Sequence, residues 1–251
     1  DIAEHPDDDL WNSLVIACRK AMELFTGDPG DIAGIGLCTI RCCRALLTAE
    51  GALASPVLNW MDKRLSMPYQ HLDEAVKWVT ASSGYIGYRL TGEFRDTASN
   101  YEGQWPIDKA TWDWSEDPDV VAQYNIPRDM LFDLVKPGEI IGTLSAEAAI
   151  AMNLPAGIPV AATANDKAVE ALGAGLEHGS SLLVSLGTYI GSMMYGTRLV
   201  NDAKYFFSNM ASIPWQFLYE SGGIRRGMWT ISWFHSLLGD ESNSVSIETL
   251  N

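Results

Sequence analysis

Positive charge is scarce in this chain. Its 251 residues hold 17 Lys and Arg against 32 Asp and Glu, a formal net charge of −15. So acidic a surface disfavours nonspecific binding to nucleic acid or anionic membrane, which needs a cationic face. A small anion is still admissible, because one local site can be positive within a negative protein. Cysteine is also scarce: Cys18, Cys38, Cys42 and Cys43. None forms a C-x-x-C pair, and adjacent Cys42 and Cys43 do not suit a secreted disulfide framework, so reduced thiols in a cytoplasmic protein are expected. His5, His71, His178 and His235 show no metal-ligand spacing, and no metal site is expected from them. No apolar run approaches the ~18 residues of a membrane span, and no signal peptide is visible.

What is present is ordinary globular material, 47% hydrophobic and 20% charged, ample for a sizeable core. Residues 8–27 read as a helix, with Trp11, Leu14, Val15, Cys18, Met22 and Phe25 three and four apart on one face. "IAGIGLCTI" reads as a buried strand, "RALLTAEGAL" as a strand entering a turn, and "SPVLNWMDKR" as a further strand. The pattern from His71 to Leu90 is helical. The stretch from Thr111 to Glu139 reads as a short helix, a proline-bounded loop and a surface excursion. "SAEAAIAMNLPAG" suits a helix capped by Ser145 with Glu147 in its first turn. "GIPVAATAND" is a strand and "KAVEALGAGLEHG" a helix. Two strands flank Gly187-Thr188. A strand, a glycine turn and an amphipathic helix occupy 216–239. The mixture implies α/β layers.

Few residues could carry chemistry. Asp166 stands where a strand of small residues hands over to a helix. A carboxylate there is either an N-cap or a general base for a substrate hydroxyl. Gly187-Thr188 follows one helix and one strand later. A GT pair between strands is a hairpin turn, or a turn whose amides and hydroxyl hold an anion. Ser221-Gly222-Gly223 offers the same choice between a flexible turn and a phosphate contact, with Arg225 and Arg226 nearby. Trp60, Asp62 and Arg64 combine an aromatic face with a carboxylate, which suits a polyhydroxylated ligand or a local ion pair. Arg41 ends another strand, where it could bind a ligand or pair locally. Cys42 and Cys43 lack a supporting histidine.

In combination these stretches resemble the FGGY family of carbohydrate kinases, which includes xylulose, ribulose and glycerol kinases. "DIAGIGLCTIRCCRALLTAEGALASPVLNWMDKR" is similar to the family's early strand pair and W-x-D-x-R segment. "YIGYRLTGEFRDTASNYEG" resembles its Y-x-x-x-x-LTG and D-x-S-N-A stretches. The strongest likeness runs from Leu131 to Thr188. The resemblance implies an α/β, actin-like ATPase (ribonuclease H-like) fold of two domains with a cleft between them. It makes 1–220 a sugar-binding and catalytic domain, and 221–251 the start of a nucleotide-binding domain. It implies an ATP- and Mg2+-dependent kinase acting on a sugar, a ketopentose such as xylulose or ribulose, with glycerol or another polyol as the alternative. Asp166 becomes the catalytic base. Gly187 and Thr188 hold phosphate, Gly223 and Gly227 lie on the nucleotide side, and Arg41, Trp60, Asp62 and Asn165 lie on the sugar side. A homodimer is compatible with exposed strand edges.

The chain also departs from the family pattern. Asn165 replaces a glycine, Tyr189 replaces a small residue, and Cys42 stands where relatives carry a substrate-touching His or Glu. No D-x-G-T/S strand precedes Asp1, only six residues separate Arg64 from His71, and the rest of the second domain should follow Asn251. The chain is therefore expected to be an incomplete copy. A non-catalytic binding protein on the same fold, and an actin-like ATPase without sugar transfer, are the rival readings.

Overall fold

A computed structural model of the protein describes residues 2–177, 179–186, 190–223 and 227–237. The chain divides into two compact units, Asp1–Glu170 with Met210–Gln216, and Ala171–Asn209 with Phe217–Asn251.

In the first unit a short strand, β1 (Glu4–His5), precedes helix α1 (Asp9–Leu24). The expected apolar stripe of α1 is real: Trp11 is buried, and Leu10, Leu14, Val15 and Cys18 pack on the same core. Strands β2 (Ile35–Thr39), β3 (Ala45–Leu47) and β4 (Val57–Leu58) follow, with β4 antiparallel to β1. The chain was expected to stay extended to Arg64. It turns instead into a 3-10 helix at Lys63–Ser66, because the Asp62 carboxylate accepts from the Arg64 amide at 2.9 Å and caps it.

Residues 71–90, expected as one helix, hold a strand and a shorter helix. Strand β5 (Trp78–Thr80) runs antiparallel to β3, with Ala45 opposite Thr80. Helix α2 (Ser82–Thr91) starts only after it. Val79 and Thr80 are β-branched, and a cross-strand partner outweighs the helical spacing of the apolar residues around them. Helix α2 stops at Gly92, which takes φ 79° and returns its N–H to the Tyr88 carbonyl.

Strands β6 (Arg95–Thr97), β7 (Ile107–Asp108) and β8 (Asp113–Trp114), helix α3 (Pro118–Tyr124) and strand β9 (Asp133–Val135) come next. Strand β9 lies parallel to β6. The surface excursion expected here is largely interior: Trp112, Trp114, Ile126, Met130 and Phe132 are all buried. Trp114 can enter the core because its indole N–H donates to the Phe132 carbonyl at 2.7 Å.

The unit closes with β10 (Ile140–Thr143), α4 (Ala146–Met152), β11 (Pro159–Asn165) and the start of α5 (Asp166–Gly173). Ser145 caps α4 as expected, its hydroxyl accepting from the Ala148 amide at 3.1 Å. Arg19 of α1 donates to the Ile150 carbonyl at 3.1 Å, tying the two helices. The sheet that organises the unit has the order β10-β11-β2. Strand β11 is antiparallel to β10 and parallel to β2, with Asn165 opposite Thr39 at the far end.

The second unit is built on a four-stranded sheet of β12 (Leu183–Leu186), β13 (Ile190–Gly196), β14 (Phe206–Met210) and β15 (Phe217–Ser221), in the order β12-β13-β15-β14. Strand β13 is antiparallel to both β12 and β15, which matches the expected strand pair. Helix α6 (Gly227–Leu237) leaves Trp229, Trp233 and Leu237 more than half exposed.

Contact between α2 and β5 is set by one glycine. A Cβ on Gly84 would lie 1.9 Å from Thr80 Oγ1 and 3.0 Å from Asp96 Oδ2. Gly84→Ala in the full-length protein is expected to destabilise it by about 1–3 kcal/mol. A thermal melt reads this as a fall of several degrees, and an unchanged melting temperature would refute such tight packing.

Candidate active site

In an open sheet, the edge at the carboxyl ends of parallel strands is where side chains converge without blocking the ladder. Strands β2 and β11 form such a pair. Thr39 ends one and Asn165 the other. Beyond Thr39 come Ile40, Arg41 and Cys42; beyond Asn165 comes Asp166.

Asn165 is fully buried. Its Nδ2 donates to the Ser99 carbonyl at 2.9 Å, and its Oδ1 accepts from the Ala168 amide at 3.2 Å. The capping side chain of α5 is therefore Asn165, and Asp166 is released from that duty. Asp166 is half-buried in the first turn. Among the described residues no group donates a hydrogen bond to its carboxylate. Asn165, placed on the sugar side by the resemblance, has both ends of its amide engaged inside the protein.

Asp166 acts on its surroundings through charge. Burial is the main reason the Cys38, Cys42 and Cys43 thiols are raised above their ordinary values, and the negative charge of Asp166 adds to each. For Cys42 the result is about 11; Glu102 and Cys43 push the same way, and Arg41 opposes them. Three thiols and one carboxylate thus share one edge, and none of the thiols is an activated nucleophile. Cys42 takes φ 63°, a left-handed conformation uncommon outside glycine. Its Sγ leans on the Glu102 carbonyl at 3.5 Å. Cys43 points elsewhere, accepting from the Trp60 amide and the Ser82 hydroxyl.

The sugar-side candidates separate. Arg41 stands half-buried at this edge. Trp60 is 53% exposed, with its backbone on Cys43. Asp62 is buried and saturated: it accepts from the Ala3 amide at 2.8 Å, and its two oxygens bind Arg64 Nε at 2.8 Å and Nη2 at 2.6 Å. The Arg64 guanidinium, also paired with Glu4 at 2.7 Å, holds the Asp62 carboxyl well below the usual carboxylate range. This is a strap across the start of the chain. Gly187 and Thr188 lie outside the described residues, as do Tyr189, His178, Arg225 and Arg226. Gly223 follows β15, and Gly227 opens α6 in a buried position. Ser221 is engaged by Ser192, whose amide and hydroxyl both reach it at 3.0 Å.

A second strip of polar groups went unmarked in the sequence. Residues 39–44 and 100–105 run side by side. Asn100 donates to Thr39 Oγ1 at 3.2 Å, Cys42 touches the Glu102 carbonyl, and the Arg44 guanidinium lies 5.5 Å from the centre of the Trp105 ring. Asn100 also donates to Ser83 Oγ at 2.6 Å, and Ser83 donates to Asp96 at 2.6 Å. Asn100 Oδ1 and Arg44 Nε are enclosed and, among the described residues, meet no hydrogen-bond partner. The D-x-S-N stretch was legible as a motif, but nothing local says that its Asn leaves an acceptor open.

Residues 69–173 match the model of the FGGY family of carbohydrate kinases, N-terminal domain. The uncharacterized sugar kinase YgcE of Escherichia coli (strain K12) is 52% identical over 240 residues, 96% of this chain and 49% of that protein. The chain belongs to the FGGY family of carbohydrate kinases. L-fuculokinase of Salmonella typhi is 34% identical over 195 residues, covering 63% of this chain and 40% of that one. The xylulose kinase structure from Rhodospirillum rubrum superposes with a TM-score of 0.80 at 23% identity, over 96% of this chain and 57% of that one. The fold is thus the actin-like ATPase fold of FGGY kinases, and the chain spans about half the length of the first of these relatives. Asn165 gives α5 a side-chain cap that a glycine could not supply.

Asp96 anchors the polar network behind this edge. It is fully buried, and burial pushes its carboxyl up to about 7, although Ser83, Tyr101 and the Thr97 and Gly84 amides all hydrogen-bond to it. The folded protein therefore holds this proton more tightly than the unfolded chain, whose Asp titrates near 3.8. The sign follows: Asp96 contributes stability fully below about pH 4, and that contribution is lost as pH rises toward 7. Asp96→Asn, which imitates the protonated acid, is expected to flatten the fall in stability between these limits. Denaturant melts from pH 4 to pH 8 decide, and an unaltered profile would contradict it.

Proposed function

We propose that the protein is an ATP-dependent kinase that phosphorylates a hydroxyl of a small sugar or polyol, with Asp166 as the base. One observation carries this reading above the others. The carboxylate is freed from capping by Asn165 and, among the described residues, stands without a protein donor at the carboxyl edge of the parallel pair β2 and β11. A group so placed can accept a proton from a substrate hydroxyl as that oxygen attacks phosphorus. Asn165 orients it, because the cap and the Ser99 bond fix the strand–helix junction from both sides. Arg41 and Trp60 serve the sugar side. The resemblance gives Gly187 and Thr188 to the phosphates, and Gly223 and Gly227 to the nucleotide side.

ATP supplies the phosphoryl group, and Mg2+ offsets the charge of its phosphates. Among the described residues no three His, Cys, Asp or Glu side chains converge into a metal cage. That suits Mg2+, which keeps several waters and binds largely through substrate phosphates. Xylulose and fuculose kinases among the relatives support a sugar acceptor, and a ketopentose is the class that the resemblance implies. No helix among the described residues is long and apolar enough to cross a membrane.

Sugar-dependent release of ADP by the full-length protein tests the reading. Asp166→Asn should lower kcat by about 10²- to 10⁴-fold with the thermal melt unchanged. Near-wild-type turnover in that variant would remove Asp166 from the chemistry. ATP loss without a phosphorylated sugar would favour an ATPase instead.

A further inference from the structure

Residues 97–100 lie across the carboxyl ends of both parallel strands. The Thr97 hydroxyl donates to the Thr163 carbonyl of β11. The Ser99 carbonyl holds Asn165 at the end of that strand. Asn100 donates to Thr39 Oγ1 at the end of β2, and Ser82, which opens α2, donates to the same oxygen at 3.1 Å. Arg41 and Cys42 follow one strand end, and Asp166 follows the other. Whatever fixes this turn therefore fixes both strand ends.

The turn is anchored at its start by Asp96, which is fully buried. Its carboxylate accepts from the Ser83 hydroxyl at 2.6 Å, from the Thr97 amide at 2.7 Å, and from the Tyr101 hydroxyl and the Gly84 amide. All of these are donors, which suits an ionised carboxylate, an acceptor only. An asparagine here would bring its own NH2 into a ring of donors. Both hydroxyls lead to Asn100: Ser83 Oγ accepts from its amide at 2.6 Å, and Tyr101 is the next residue. Protonation of Asp96 puts an O–H among the donors, and the Ser83 bond loses its charge assistance whichever oxygen takes the proton. Burial pushes this carboxyl up to about 7, so the change falls in the neutral range.

No other charge on the surrounding elements competes for it. Tyr101 is held well above its usual value by burial and is a neutral donor. Arg95 of β6 donates to the Ile141 carbonyl at 3.3 Å, Asp133 of β9 is exposed, and Arg89 of α2 pairs with Asp8 at 2.6 Å. Strands β5, β10 and β11 carry no charged residue.

We infer that Asp96 is a positioning residue for phosphoryl transfer: its carboxylate, acting through Ser83 and Asn100, holds the end of β2 in register with the strand end that carries Asp166. The inference rests on the kinase reading. It gives the buried charge a purpose, since the ionised form is the less stable one and is retained for geometry rather than for stability.

The pH dependence of kcat in the full-length protein, with sugar and ATP saturating, tests it from pH 6 to pH 9. Wild-type kcat should rise about 10-fold, with its midpoint near 7. Asp96→Asn should stay at the low level throughout, although its thermal melt at pH 8 is no lower than that of the wild type. A merely structural role would leave this well-folded variant with the wild-type profile. Asp166 is present in both proteins, so a limb of its own would persist in the variant. Ser83→Ala, which keeps the acid but cuts the link, should also lose the limb, and it replaces Asp96→Asn in both measurements if that variant does not fold. Hydrogen exchange of the 37–42 amides, without sugar or ATP, reads the same coupling without turnover. At pH 8.5 the wild type should exchange about threefold or more slowly than Asp96→Asn, and at pH 6 the two should agree. If the wild type phosphorylates no sugar at any pH, the kinase reading fails and hydrogen exchange alone decides. The inference is overturned if the wild type shows no limb, if Asp96→Asn keeps it, or if the two proteins exchange alike at pH 8.5.

Discussion

The site depends on the side chain of Asn165. Its amide spans two structures that have no backbone bond to each other, the Ser99 carbonyl in the turn after β6 and the Ala168 amide in the first turn of α5. Ser99 is itself fixed, its hydroxyl donating to the Met210 and Ala211 carbonyls at 3.0 and 2.9 Å. An unmade hydrogen bond at a fully buried amide costs about 1–3 kcal/mol, so the strand end, the turn and the helix start cannot shift independently. The residue that follows, Asp166, inherits that rigidity without contributing to it. A glycine in the same place would permit the turn but could neither cap the helix nor hold the Ser99 carbonyl.

Around this junction the chain separates structural charge from open charge. Asp62 and Arg64 satisfy one another and a backbone amide, and together they fasten the first residues to the 3-10 turn. Lys109 and Glu102 do the same on the opposite strip. Asp96 is held by hydroxyls and amides alone, and its carboxyl rises accordingly. Among the described residues, Asn100 Oδ1 and Arg44 Nε are enclosed without a hydrogen-bond partner. Among the described residues no carboxylate forms an ion pair with the buried Arg44, an uncommon arrangement in a chain with so few cations.

Much of this frame was legible in the sequence, for reasons that are local. Strands β2 and β11 are short runs of small apolar residues bounded by glycine and proline, helix α1 shows its stripe, and Ser145 is a cap by type and position. What was not legible depends on partners distant in sequence. Trp78–Thr80 is a strand because β3 lies beside it, which the helical spacing of 71–90 concealed. Asp62 reads as an exposed carboxylate near an aromatic, and only the fold brings Ala3 to it. The departure at Asn165 was visible, but its purpose needed Ser99. Arg44 gave no signal, because the lack of a partner is a tertiary fact.

The most direct test is steady-state kinetics of Asn165→Ala in the full-length protein. If Asn165 positions the base, kcat falls about 10- to 100-fold, as small misplacements of a catalytic group do, while KM for the sugar stays within about twofold. An unchanged kcat, or a rise in KM alone, would show instead that Asn165 does not hold Asp166 in place.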